Sequence, residues 1–380
     1  MSKTDKRIFL SPPHMSGEER TLVTECFDTN YLAGVGPMID RFEKEFCELT
    51  GHTDAAALTS GTAAMHLALR LAGIGEGDEV WTSTLTFIGG VSPIMYQQAS
   101  PVFLDVDPDT WTLSPQLLED ELSRAAAENK LPKAIVPVDI YGQCADLDAI
   151  GALAANYEIP VILDSAESVG ATYKGRHAGK GADVAIYSFN GNKLITTAGG
   201  GMIASDDPGI IQQARYLSTQ AREPSNHYEH VTFGYNYRMP SVCAAIGIGQ
   251  LGVLSDRVAK ARKTFAHYET ELGDLPGISF MPEAATGKAN RWLTVMMLGA
   301  AASVEPMEIC EALGARNIEA RPVWKPMHLQ PVFRTARHVG GDVSEELFQR
   351  GVCLPSGTDL TQEDLTRVID IIKSVLTSAK

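Results

Sequence analysis

At 380 residues the chain is too long for one ordinary domain and predicts about two compact units. Its composition, 44% hydrophobic and 21% charged, is that of a globular protein with enough apolar material for a large core, so disorder is expected only at the termini. A net charge of -15 and a pI near 5.1 exclude a nucleic-acid backbone as partner, because binding phosphates needs clustered Lys and Arg.

The six cysteines, Cys26, Cys47, Cys144, Cys243, Cys310 and Cys353, are scattered and read as reduced structural thiols rather than a zinc site or a redox dithiol. Met1 to Arg7 is charged but leads into Leu10-Ser11-Pro12-Pro13, so no signal peptide is expected. No apolar run approaches the roughly 20 residues of a membrane span. A cytoplasmic protein is the expectation.

In chain order, Pro37–Leu49 reads first as a helix, because Phe42, Phe46 and Leu49 fall at helical spacing and Gly51 supplies a stop. From about residue 55 to 205, short apolar runs alternate with amphipathic stretches, the pattern of an α/β sheet. The predicted strands are Ala55–Leu58, Glu79–Thr82, Pro101–Leu104, Ala134–Val138, Val161–Leu163, Val184–Tyr187 and Met202–Ala204. Most are too continuously apolar for a sheet wetted on one side, which predicts helices on both faces. Ser241–Leu272 reads as one long helix suited to joining two domains, and Pro276-Gly277 breaks the chain after it. Then come a strand at Trp292–Leu298, a helix at Glu305–Leu313, a strand at Glu319–Val323 and an amphipathic helix at Gln362–Leu376. The organisation expected is a large α/β domain over residues 1–250, N-terminal segment included, and a small α+β domain over 251–380.

Three stretches carry chemistry. Ser60-Gly61-Thr62 follows a strand and opens a helix from Ala63 to Leu71, where backbone amides would face an anion. Taken alone, a common turn plus cap is the stronger reading. Val161-Ile162-Leu163-Asp164 ends an apolar strand in a carboxylate, at the edge where α/β sheets bind ligands. In isolation Asp164 reads as a helix cap. Opposite a pyridine nitrogen, it would keep that nitrogen protonated and make the ring an electron sink. Glu167 comes from the same turn and can reach another edge of such a ring. The third and most specific stretch is Ser188-Phe189-Asn190-Gly191-Asn192-Lys193-Leu194-Ile195-Thr196-Thr197, followed by Ala198-Gly199-Gly200-Gly201. A surface lysine in a turn is the bland reading. A hydroxyl, amides and a glycine run around one amine instead describe a loop that approaches a cofactor closely and leaves Lys193 a desolvated nucleophile.

With these residues in view, the chain resembles the DegT/DnrJ/EryC1/StrS sugar aminotransferase family of the type I pyridoxal-phosphate fold. The likeness runs from Pro12-Pro13-His14-Met15 to Cys353-Leu354-Pro355-Ser356-Gly357-Thr358. It rests on Ser60-Gly61-Thr62, Asp164 with Glu167, Ser188 with Lys193, and Gly234-Tyr235-Asn236-Tyr237-Arg238-Met239. It implies an aspartate-aminotransferase-like α/β fold, with a mainly parallel seven-stranded sheet in the large domain, and pyridoxal 5'-phosphate as cofactor. In the family the loop lysine carries the cofactor covalently, a role that falls on Lys193, and its released amine moves the proton of transamination. Asp164 falls on the partner of the ring nitrogen. Glu167 falls on the partner of the ring hydroxyl, where many relatives have Gln. Phe87 matches an aromatic stacked on the ring, while Gly61, Thr62 and Ser188 match the phosphate cup, and Asn190 shares that loop. Asn236 matches a residue that completes the cup from a neighbouring subunit, which implies a homodimer.

Narrower signatures point to substrate. Ser188 to Lys193, Ser218-Thr219-Gln220-Ala221-Arg222-Glu223, His227-Tyr228-Glu229-His230 and Arg321-Pro322-Val323-Trp324-Lys325-Pro326-Met327-His328 resemble enzymes that aminate UDP-4-keto-6-deoxy-N-acetylglucosamine. The resemblance implies two half-reactions: an amino acid, glutamate by analogy, gives up its nitrogen, and a UDP-linked 4-keto sugar receives it. Arg222, Arg321 and His328 are candidate substrate contacts, the arginines because a planar fork fits a diphosphate or a carboxylate. His227, Tyr228 and His230 would border the sugar. For the arginines and His328, an ordinary ion pair is about as good a reading. No metal is expected, since no carboxylate or His pair has a useful helical spacing. Two readings compete: a sister activity on GDP-4-keto-6-deoxymannose, and a non-catalytic homologue that binds cofactor or nucleotide sugar. A nicotinamide enzyme is disfavoured, because no Gly-x-Gly-x-x-Gly run opens a helix after the first strand.

Overall fold

The structure, a computed structural model, describes residues 6–378; Met1 to Asp5 of the charged start lie outside the described residues, as do the last two. At its centre is a sheet of β1 (Asp54–Leu58), β2 (Glu79–Ser83), β3 (Ser100–Leu104), β4 (Ala134–Val136), β5 (Ile162–Asp164), β6 (Val184–Ser188) and β7 (Gly201–Ser205). The strands lie in the order β1-β7-β6-β5-β4-β2-β3, with β4 and β5 joined by parallel bridges from Ile135 to Val161 and from Val138 to Asp164. All run parallel except β7, which is antiparallel to β1 and β6. The mainly parallel seven-stranded sheet expected from the sequence is present, and His338–Val339 adds a short parallel edge beside β3.

Helices cover both faces because the strands are apolar on both. The covering helices are α1 (Glu19–Asp28), α2 (Pro37–Thr50), α3 (Gly61–Leu71), α4 (Ile88–Tyr96), α5 (Pro115–Ala127), α6 (Leu147–Ala155), α7 (Pro208–Ser218) and α8 (Ser241–Leu251). Alternate residues of one strand serve opposite faces. Ala55 and Ala57 pack with α2 and α8, whereas Ala56 and Leu58 pack with α3 and α7. Trp81, Val102, Leu104 and Ile135 pack with α5 and α6. Fully buried rings such as Phe42 and Phe46 contribute about 2–3 kcal/mol each.

The single helix predicted over Ser241–Leu272 is in fact two, α8 and α9 (Leu254–Leu272), bent by 63°. Helix α8 is pressed against its neighbours: a Cβ at Gly247 would lie 2.6 Å from the Phe42 ring and one at Gly249 3.1 Å from Glu19. Helix α9 instead sends Tyr268 and Leu272 into a separate C-terminal cluster. The chain changes direction at Gly252-Val253, where glycine weakens helix by about 1 kcal/mol relative to alanine. Among the described residues no single helix is long and apolar enough to cross a membrane; the bent pair α8 and α9 passes by length and composition only.

The C-terminal part holds an antiparallel sheet of β8 (Ile278–Phe280), β9 (Thr294–Leu298), β10 (Arg321–Pro322) and β11 (Gly351–Leu354), in the order β8-β9-β11-β10. It is flanked by α10 (Pro306–Gly314), α11 (Asp342–Arg350) and α12 (Gln362–Ser378). The strand predicted over Glu319–Val323 shrinks to Arg321–Pro322 in this sheet. Glu319 pairs with the N-terminal segment instead. Its amide donates to the Ile8 carbonyl at 2.9 Å, and its Oε2 accepts the Leu10 amide at 3.2 Å. Ile8 is buried in the same cluster as α10 and α12.

Candidate active site

The carboxyl ends of β1, β5 and β6 lie on one edge of the central sheet, and a cleft of about 490 Å³ opens along it. Gly61, Thr62, Phe87, Asp164, Glu167, Ser188, Asn190, Lys193 and Arg321 line this cleft.

Its floor begins at the start of α3. Ser60 is extended, at φ -166 and ψ 161, and its Oγ accepts the Ala63 amide at 3.0 Å. The cap therefore exists, and it leaves the amides of Gly61 and Thr62 without acceptors inside the helix. Their partial positive charge favours an anion at this end, so the cap does not compete with the anion reading of Ser60-Gly61-Thr62. Gly61 lies against Ser188, the last residue of β6: a Cβ at Gly61 would sit 3.1 Å from that of Ser188. A Cβ at Gly201 would fall 2.3 Å from the Ser60 backbone, so the glycine run lets β7 pass directly behind this helix start.

The opposite wall is acidic. Asp164 ends β5, and its Oδ1 accepts the Ala166 amide at 3.1 Å. Glu167 accepts the Tyr141 amide at 2.7 Å through Oε2 and the Lys193 ammonium at 3.2 Å through Oε1. Burial pushes Asp164 up to about 6 and Glu167 up to about 7, against the opposing pull of Lys193. A cation brought beside Asp164 would restore its charged form. Behind this turn, the buried Asp139 carboxylate accepts the hydroxyls of Ser165 and Ser168 at 2.8 and 2.6 Å and the Ala145 amide at 2.8 Å. A Cβ at Gly90 would stand 2.3 Å from Asp164 Oδ2, so the first turn of α4 closes directly over the carboxylate.

Lys193 reaches in between these walls. Its side chain is 12% exposed, and Nζ lies 4.0 Å from the centre of the Trp292 ring. The loop is tied down: Trp292 Nε1 donates to the Asn192 carbonyl at 2.7 Å, Asn190 Nδ2 to Asn192 Oδ1 at 3.2 Å, and the Lys193 amide to the Asn190 carbonyl at 3.0 Å. One amine is thus held in place between an acid and an aromatic face. Phe87 stays 58% exposed beside the cleft, 5.5 Å from the Trp324 ring. Neither Trp292 nor Trp324 was singled out from the sequence, although Trp324 sits inside the Arg321 to His328 stretch. Nothing in local spacing marks a side chain brought to a cleft by distant packing.

Residues 13–373 match the DegT/DnrJ/EryC1/StrS aminotransferase family. The chain belongs to this family. It is 48% identical over 371 residues, 97% of this chain and 95% of the relative, to EpsN of Bacillus subtilis (strain 168), whose name describes a pyridoxal phosphate-dependent aminotransferase. It is 38% identical over 374 residues, 97% of this chain and 98% of the relative, to the GDP-perosamine synthase of Caulobacter vibrioides. Among solved structures, the aminotransferase TlmJ from Streptoalloteichus hindustanus superposes with a TM-score of 0.89 at 27% identity, covering 99% of this chain and 100% of that one. The fold is therefore the aspartate-aminotransferase-like one of the DegT/DnrJ/EryC1/StrS enzymes, and pyridoxal phosphate is the family's cofactor. The two curated relatives named here do not carry the UDP-sugar name that the narrower signatures resemble.

The cleft fits that cofactor chemically, with amides and a hydroxyl for a phosphate, a buried carboxyl for a ring nitrogen and an amine for an aldehyde. Arg222, His227, Tyr228, His230, Asn236 and His328, all singled out from the sequence, lie outside it. Arg222 is exposed, its guanidinium 4.5 Å from the Tyr228 ring. His227 is exposed too, with Nε2 3.3 Å from Glu229. Asn236 is exposed and bridges to Thr219. These three share one surface stretch with the exposed Tyr228 and His230, and none of them lines the cleft around Lys193. His328 is buried, with its ring bound to Thr84 and Glu345, so the expected direct contact with substrate has no geometry behind it. Arg321 does line the cleft, steered by Glu319 at 3.0 Å.

Proposed function

We propose that this protein is a pyridoxal-phosphate-dependent aminotransferase that moves an amino group from an amino acid, glutamate in our reading, to the 4-keto carbon of a nucleotide-linked 4-keto-6-deoxy sugar. The observation that carries the proposal is the Lys193 amine held 3.2 Å from Glu167, inside a cleft that also holds Asp164 and the free amides of α3. In this reading Lys193 Nζ holds the cofactor and later moves a proton at the reacting carbon. Asp164 keeps the ring nitrogen protonated, Glu167 holds the ring hydroxyl, Phe87 covers the ring, and Gly61, Thr62, Ser188 and Asn190 hold the phosphate end. When bound, the cofactor supplies an electron sink. Arg321 is the cleft's own candidate for a substrate carboxylate or diphosphate.

The stretch with Arg222, His227 and Asn236 contributes, in the same proposal, to the site of a second copy in a homodimer. The division after residue 250 into a cofactor-binding part and a smaller C-terminal part belongs to this reading as well. The sugar we favour is UDP-2-acetamido-4-keto-2,6-dideoxyglucose, on the sequence signatures. A second reading, GDP-4-keto-6-deoxymannose, is favoured by the name of the Caulobacter vibrioides relative.

The test is the visible spectrum of the purified protein with cofactor. The cofactor band is expected to fade with glutamate and return with one of the two keto sugars, and the faster sugar decides between the readings. Lys193→Ala should lose both changes. If no cofactor band forms even after reconstitution with pyridoxal phosphate, the reading of Lys193 fails and a non-catalytic homologue takes its place.

A further inference from the structure

Turned away from the cleft, His328 has both ring nitrogens engaged. Nδ1 lies 2.6 Å from the Thr84 hydroxyl and Nε2 3.1 Å from Glu345 Oε1. A carboxylate only accepts, so Nε2 carries a proton; in the neutral ring, Nδ1 then accepts the proton of Thr84. The same two segments are zipped again by the Met327 amide, which donates to the Thr84 carbonyl at 2.8 Å. Glu345 stands on α11, whose first turn is fixed by Asp105: the amides of Gly341, Val343 and Ser344 donate to that carboxylate at 2.7, 3.0 and 3.1 Å. The His338 ring stacks on His328 at 4.7 Å and 19°. Gly341 has φ +138, and a Cβ there would meet the His328 ring at 3.1 Å, so the start of α11 lies directly against this imidazole.

Each end of this junction leads to one aromatic of the cleft. Three residues after Thr84 stands Phe87, and four before His328 stands Trp324. Both rings line the cleft, 5.5 Å apart. The Trp324 amide also donates to Tyr141 Oη at 3.1 Å, while the Tyr141 amide holds Glu167. The spacing of the two rings is thus referred to the acidic wall on one side and to Thr84 and His328 on the other.

We propose that Thr84, His328 and Glu345 form a clasp that sets the opening between Phe87 and Trp324, and that His328 is a positioning residue for the keto sugar which never touches it. The inference rests on the reading of this cleft as a sugar aminotransferase site. An amino acid is small and needs only the innermost part of the cleft, whereas a nucleotide sugar must pass the two rings. Loss of the clasp should therefore weaken the second half-reaction and spare the first.

Thr84→Val removes the hydroxyl and keeps the shape, and His328→Gln keeps at most one of the two ring contacts. In each variant the glutamate half-reaction should stay within about twofold of wild type, while KM for the keto sugar rises about tenfold. The double variant should be no worse than the poorer single one, because both changes open the same clasp. Acrylamide should quench Trp324 more strongly in both variants, with Trp324→Phe supplying the baseline. An unchanged KM, or a parallel fall of both half-reactions, overturns the proposal. If wild type answers glutamate but neither keto sugar, the acceptor reading fails separately, and unchanged quenching in Thr84→Val would still overturn the clasp.

Discussion

Glu167 is the side chain on which the electrostatics of the cleft turn. Burial raises its carboxyl from an unfolded value of about 4.3 to about 7, and Asp164 shifts in the same direction. Between those values the folded protein binds more protons than the unfolded chain, so its stability falls as pH rises through that window and levels off above it. In the cofactor-free protein, Glu167→Gln removes this group's share. The difference in Tm between variant and wild type should therefore move in the variant's favour from about pH 5 to about pH 8. A gap that stays constant with pH would show that burial does not govern this carboxyl. The chemistry at this scale was legible early: a carboxylate at a strand end, a second in the same turn and a lysine before a glycine run are all local patterns. Trp292, Glu319 and the inward turn of His328 were not, because each depends on a partner far away in sequence.

Helix α3 and the first turn of α4 show how elements, rather than single groups, shape the cleft. The sequence pattern gave the helix start at Ser60-Gly61-Thr62 and the strands around it, since alternating burial on two faces leaves a plain record in composition. It did not give the break between α8 and α9, where a run of helix-compatible residues conceals a change of direction imposed by packing on Phe42 and Glu19. The glycine of α4 that faces Asp164 offers a sharp test. Gly90→Ala places a methyl 2.3 Å from Asp164 Oδ2, and relief of such overpacking costs about 1–3 kcal/mol. Cofactor affinity measured by fluorescence titration should fall about tenfold or more, as 1.4 kcal/mol corresponds to about tenfold. Gly151→Ala in α6, where a Cβ meets nothing within 4 Å, should leave affinity unchanged and raise stability by up to about 1 kcal/mol. Equal behaviour of the two variants would contradict the role given to the α4 turn.

For the molecule as a whole, the proposed sharing of Asn236 between copies makes a definite demand. Lys193→Ala and Asn236→Ala should each be deeply impaired alone. Refolded or co-expressed together, they form hybrid dimers in which one site has both residues intact, and about a quarter of wild-type activity should return. No recovery on mixing would place Asn236 in service of its own chain. One more property follows from the pairing of Ile8 with Ile318 and of Leu10 with Glu319, the latter partners lying 309 residues apart in sequence. On the ribosome, the first of these residues leave the tunnel long before their partners exist. The rim of the cleft that Leu10 and Glu319 build closes only after residue 319 has been made, so a nascent chain carries its central sheet and its lysine before it has a finished active site.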